Sequence, residues 1–239
     1  DLDESDMLGI TDVVRSQSVS MGKITEQLEN QLADMLKVPY VVACSSGSAA
    51  LLMTFIASKI QFGDEIIIAN RNWIASLNAA KIIGAKVKLI DINKDTPTMN
   101  LEDLESKITE KTKAIVPTPI NGRAENMDQI RTIAKKYNLL VIEDASQALF
   151  SKTAQKFMGT QSRFNTFSMG ITKLIPSGQG GFITTRNVSD YQYLKLIRNN
   201  GVVNTVDENP YQCLGLNFKI TDLQSALALS HLKKFSEIK

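Results

Sequence analysis

Seven short strand-like segments, at residues 41–44, 65–69, 86–92, 114–117, 139–142, 164–168 and 181–185, are spaced along a chain of 239 residues. Each has the length of a strand and is short for a buried helix. Segments with helical periodicity separate most of them, at 47–60, 73–83, 101–108 and 127–137, and two more follow at 189–199 and 222–238. Parallel strands cannot be joined by a tight turn, so strand, helix and strand in alternation build a parallel sheet with helices across its faces. The fold class read from this order is α/β, with a mainly parallel seven-stranded sheet between helices.

A hydrophobic content of 43% over this length supports one sizeable core. The net charge of +2, with lysines scattered along the chain, gives no basic stripe, so no nucleic-acid partner is expected. Anionic small molecules suit it better. Two distant cysteines, Cys44 and Cys213, exclude a disulfide framework or thiolate metal centre, and no metal is expected. That usage fits a reducing compartment, with the cytoplasm as the expected location. No apolar run approaches the roughly 18 residues of a membrane helix, and the acidic start Asp1-Leu2-Asp3-Glu4 is unlike a signal peptide.

Sheets of this kind bind ligands at the carboxyl ends of their strands. Here those ends carry Ser45-Ser46-Gly47-Ser48, Asn70-Arg71-Asn72-Trp73, Asn121-Gly122, Asp144-Ala145-Ser146-Gln147 and Ser168. Small residues from Ser46 to Ala50 at a helix start suit an anion, because free N–H groups and the helix dipole point at it. The same residues also suit an ordinary serine N-cap. Gly22-Lys23 continues with Ile24, which excludes a Walker loop.

Asp144 is expected at the mouth of a central strand, where a carboxylate needs a cationic partner, with Glu143 facing away. A loop cap is the alternative. Gln147 adds a donor for a phenolic oxygen. Trp73, the single tryptophan, either covers a flat heteroaromatic group or packs in the core. Lys173 lies between Ser168, a candidate phosphate donor, and the pliable Ser177-Gly178-Gln179-Gly180-Gly181. A lysine so placed, with Asp144 upstream, fits Schiff-base chemistry on an aldehyde cofactor. His231, the single histidine, reads as a surface or packing residue.

Together these stretches resemble the DegT-type sugar aminotransferases of the fold-type I enzymes that use pyridoxal 5'-phosphate (PLP). The likeness is carried by Ser46-Gly47-Ser48-Ala49-Ala50-Leu51, Gly63-Asp64-Glu65-Ile66-Ile67 and Ile142-Glu143-Asp144-Ala145-Ser146-Gln147. It continues through Phe167-Ser168, Thr172-Lys173, Gly178-Gln179-Gly180-Gly181 and Gly215-Leu216-Asn217-Phe218-Lys219. The resemblance implies Lys173 and Asp144 as catalytic, with Asp144 on the cofactor's ring nitrogen, Gln147 on its ring oxygen and Trp73 stacked on it. Ser48, Ala49 and Ser168 would hold the phosphate, joined by Asn217 from the partner of a homodimer, while Lys219 and Gly22 would face substrate.

The implied reaction is transamination from an amino-acid donor, glutamate, to a keto sugar linked to a nucleotide. The family's dehydratase branch carries His at the cofactor-lysine position, so Lys173 argues against that activity. Gln179, Lys219, Phe218 and Asn72 depart from the usual Glu, Arg, Tyr and Thr. Residues 1–239 are expected to form the PLP-binding large domain with an N-terminal segment, without the smaller C-terminal domain of relatives.

Overall fold

The computed structural model describes residues 2–154, 156–203 and 210–237. Seven strands form one sheet: β1 (Tyr40–Cys44), β2 (Glu65–Ala69), β3 (Lys86–Ile90), β4 (Thr112–Val116), β5 (Leu140–Asp144), β8 (Phe164–Ser168) and β9 (Gly181–Thr185). Two-residue strands β6 (Lys152–Thr153) and β7 (Lys156–Phe157) pair separately. The order across the sheet is β1-β9-β8-β5-β4-β2-β3. All pairings from β8 to β3 are parallel, whereas β9 runs antiparallel to both β8 and β1. The cause lies in the connection: no helix separates β8 from β9, so the chain turns back through 169–180 beside itself.

The helices are α1 (Glu4–Arg15), α2 (Lys23–Leu36), α3 (Gly47–Ala57), α4 (Ala75–Ile82), α5 (Leu101–Ser106), α6 (Met127–Lys136), α7 (Val188–Arg198) and α8 (Asp222–Glu237). Ile238, the end of the last expected helix, lies outside the described residues. Several boundaries correct the sequence reading. Helix α3 stops at Ala57, β3 stops at Ile90, and β5 runs on to include Asp144. Helix α4 begins at Ala75, so Trp73 precedes it instead of opening it.

Helices α1 and α2 were not anticipated, although both carry local signals. Asp3 caps α1 in a reciprocal capping box with Asp6. Leu28, Leu32 and Leu36 recur every fourth residue of α2 and are fully or almost fully buried.

Strand alternation divides the apolar residues between the two faces. Ile66, Ile68, Val42 and Ile142 join the cluster with α3, α4 and α7, whereas Ile67 and Val141 pack against α5 and α6. Val41, Ala43, Phe167 and Phe182 face α2 and α8. By the same alternation Asp144 points to the α3 and α4 side and Glu143 to the other. Edge strand β1 is protected: Glu29 Oε1 accepts the Ala43 N–H at 2.8 Å, and Arg198 donates to both Glu29 Oε1 (2.6 Å) and the Ala43 carbonyl (2.8 Å).

Candidate active site

At the carboxyl ends of β1, β4, β5 and β8 a cavity of about 270 Å³ is lined by Ser48, Trp73, Asp144, Gln147, Ser168 and Lys173, among others. Residues 120 positions apart in sequence thus meet at one place. The small residues from Ser46 onward do start a helix: Ser46 caps α3 by accepting the Ala49 N–H at 3.0 Å. Of the amides expected to face an anion, that of Ala49 is therefore already bonded, while those of Gly47 and Ser48 begin the helix with no carbonyl one turn back. Both expected roles coexist, the serine cap and an open pair of N–H groups.

Two glycines let backbone crowd this corner. A Cβ on Gly47 would fall 2.9 Å from Ser168 Cβ, and one on Gly181 would fall 2.5 Å from the Ser46 carbonyl. The end of β8 is thereby pressed against the start of α3, with Ser168 beside the open amides.

Asp144 ends β5 and is 3% exposed. Its carboxylate accepts from Ser76 Oγ at 3.3 Å and from the Ser146 N–H at 3.2 Å. No cation among the described residues makes a salt bridge to it. Burial raises its pKa, opposed by the bonds from Ser146 and Ser76 and by the charge of Lys173. Such a group favours a cationic N–H that enters the cavity. The loop-cap alternative accounts for one of its bonds only.

Lys173 is half-buried on the 169–180 loop, which holds its own shape. The Met169 N–H donates to Gly180 O (2.8 Å), the Ser177 N–H to Met169 O (2.9 Å), and the Lys173 N–H to Gly170 O (2.9 Å). The buried Ser177 hydroxyl lies 2.8 Å from Gln179 O as donor. Gln147 accepts the Asn121 N–H at 3.2 Å through its carbonyl oxygen, which leaves its NH₂ end as donor. Trp73 is 69% exposed and stands on the rim, which sets aside the core-packing role.

Three other expected residues lie apart from the cavity lining. Asn217 is exposed and accepts the Lys219 N–H at 3.3 Å, while Lys219 Nζ donates to Asn199 Oδ1 at 3.1 Å. The Phe218 carbonyl between them accepts the Ser45 N–H at 2.9 Å, so this strip borders the α3 turn. The Gly22 N–H donates to Asp222 Oδ1 at 2.8 Å, where Asp222 also receives the Thr25 N–H and hydroxyl. Gly22 is thus engaged at the junction of α2 and α8. Ser76 and Thr118 were not foreseen; Ser76 is an unremarkable helical serine in sequence, and only the packing of α4 on β5 brings it to Asp144.

The sequence model of the DegT/DnrJ/EryC1/StrS aminotransferase family matches residues 1–239. The chain belongs to this family. A GDP-perosamine synthase of Caulobacter vibrioides is 34% identical over 221 residues, 91% of this chain and 58% of that protein. The aminotransferase from Psychrobacter cryohalolentis superposes with a TM-score of 0.94 at 26% identity, over 99% of this chain and 63% of that one. The E. coli GDP-4-keto-6-deoxy-D-mannose-3-dehydratase with bound hydrated PLP gives 0.91 at 27% identity, over 98% and 66%. The chain therefore spans less than two thirds of the length of each of these three proteins. Among its described residues no helix is long and apolar enough to cross a membrane.

Proposed function

We propose that the protein is a PLP-dependent aminotransferase that moves an amino group from glutamate to a keto sugar linked to a nucleotide. The observation that carries this reading is one cavity shared by Lys173 and a buried Asp144 that has no ion-pair partner among the described residues. The residues fit PLP at both ends. A pyridinium N–H supplies the cation that Asp144 lacks, and the Gly47 and Ser48 amides with Ser168 meet the phosphate where no Cβ fits. Bound PLP supplies an aldehyde carbon and an electron sink for the donor's Cα electrons.

The chain's own groups do the rest. Asp144 keeps the ring nitrogen protonated, and Ser76 and the Ser146 N–H hold that carboxylate in place. Lys173 Nζ would hold PLP by condensing with its aldehyde, with loss of water, and once displaced by the donor amine would carry the proton to and from the reacting carbon. Trp73 covers the exposed ring face and excludes water, while the Gln147 NH₂ meets the ring oxygen. Asn217 and its neighbour Lys219, which lie outside the cavity of their own chain, fit a contribution to a partner's site in a homodimer. Lys219 and Gly22 are the residues assigned to the acceptor side, and a reducing cytoplasmic setting suits the unpaired Cys44 and Cys213.

The test is spectroscopic. Adding PLP to the protein produces a visible absorbance band that glutamate bleaches, and Lys173→Ala abolishes the band. A band that forms but never responds to glutamate would replace the aminotransferase reading with that of a PLP-binding regulator.

A further inference from the structure

The ring of Trp73 is 69% exposed, so few neighbours orient it and its position depends on the backbone beneath. That backbone follows β2 in the segment 70–74, whose near end is tied down by Asn70: its N–H donates to Ile90 O (2.8 Å) and its amide to Asp91 Oδ1 (2.7 Å). At Trp73 itself the tie is the side chain of Asn72. Asn72 Oδ1 accepts the Trp73 N–H at 2.7 Å, and Asn72 Nδ2 donates to Thr118 Oγ1 at 3.0 Å. Thr118 follows β4, is 3% exposed, and lines the same cavity as Trp73 and Asp144.

We infer that Asn72 is a positioning residue that clamps Trp73 to the β4 end of the cavity and so sets the ring over the bound cofactor. The clamp needs two polar atoms about one carbon apart, one for each neighbour. A serine or threonine hydroxyl supplies a single oxygen close to the backbone and cannot reach both. An amide does so, with the donor and acceptor pointing to opposite sides. Thr118 is buried, and its neighbour Pro117 accepts the Asp144 N–H through its carbonyl at 2.9 Å, so the clamp ties a thinly supported ring to a segment bonded to the end of β5. The inference rests on Trp73 covering PLP, as proposed above, for its catalytic meaning but not for its geometry.

Because Trp73 is the single tryptophan, its emission reports the clamp directly. In protein without PLP, Asn72→Leu, which keeps the shape and removes both bonds, should lower the Trp73 anisotropy and increase its quenching by acrylamide. Thr118→Val should do the same, and Asn72→Asp should restore the wild-type signal, since its oxygens accept from both the Trp73 N–H and the Thr118 hydroxyl. With one hydrogen bond lost in Thr118→Val and two in Asn72→Leu, the apparent PLP affinity read from quenching of Trp73 should fall about fivefold in the first and further in the second. Unchanged anisotropy and acrylamide quenching in both variants, with normal folding by circular dichroism, would overturn the clamp. If PLP fails to quench Trp73 even in wild type, the cofactor reading fails while the anisotropy comparison still decides the clamp.

Discussion

Gly181 of β9 lies against the backbone of Ser46, so near that a Cβ would sit 2.5 Å from the Ser46 carbonyl and 2.6 Å from the Gly47 nitrogen. The contact joins the antiparallel strand to the turn that opens α3, and it sets where the Gly47 and Ser48 amides point. Gly181→Ala must push that turn outward. We expect a loss of about 1–3 kcal/mol in stability from overpacking, together with a PLP affinity reduced well beyond that of a surface control. Melting curves and PLP titration check both, and unchanged affinity would show that the turn does not bind the phosphate.

Asp144→Asn keeps the shape of the side chain and removes its charge. If Asp144 has its proposed role, the cofactor's ring nitrogen then loses the carboxylate that holds its proton, and turnover with glutamate should fall by about 10²–10³, the scale of one preorganised electrostatic contact. Retention of PLP should change much less. Stopped-flow measurement of the glutamate half-reaction beside a PLP titration separates the two. Near-normal turnover with weak binding would contradict the assigned role.

Ser76→Ala removes the hydroxyl that supports Asp144 at 3.3 Å. The expected loss is about 1 kcal/mol, or roughly fivefold in kcat/KM for glutamate. The double variant Ser76→Ala, Asp144→Asn should be no slower than Asp144→Asn alone, because Ser76 acts through the carboxylate. Additive losses would show that Ser76 works independently.

Glu143 faces the opposite side of β5 and is fully buried, with one oxygen accepting the Gly159 N–H at 2.7 Å and the other without a partner among the described residues. Burial pushes its pKa from 4.5 up to about 8. The folded protein therefore holds a proton there that the unfolded chain releases, so the contribution of Glu143 to stability is full below pH 4.5 and is lost as pH rises to about 8. Glu125, raised by burial to about 7, acts in the same direction. Glu143→Gln should flatten the fall of Tm between pH 5 and 8 and be at least as stable as wild type above it. Parallel Tm profiles would refute this.

Arg198 and Glu29 form a buried pair at the edge of the sheet, with side chains 5% and 12% exposed. Arg198→Met strands the Glu29 charge and frees the Ala43 carbonyl of its donor. A loss of about 3–5 kcal/mol is expected in urea unfolding. Replacing both residues with apolar ones should recover much of it.

The chain's local pattern made much of the architecture legible. All seven strands of the main sheet were legible as short strand-like segments, and period-two alternation placed Asp144 and Glu143 on opposite faces. Ser48, Asp144, Gln147 and Ser168, which line the cavity, were legible as strand-end motifs, because binding sites in parallel sheets form where strands stop. Helices α1 and α2 were passed over although their caps and spacing were present, and the boundaries of α4 and β5 shifted by two residues, since caps and pairing partners rather than composition end an element.

Sequence by itself determined the order of strands and helices along the chain, the motif residues Ser46 to Ala50, Asp144, Gln147 and Lys173, and their resemblance to one enzyme family. Only the tertiary structure decided that Lys173 and Asp144 share a cavity, that Asp144 has no ion-pair partner among the described residues, that Ser76 supports it, and that Asn72 ties Trp73 to Thr118. The division has one physical cause. Periodicity and capping act over a few neighbouring residues and are written locally, whereas burial, desolvation and bonds between strand ends exist only once distant segments have packed together.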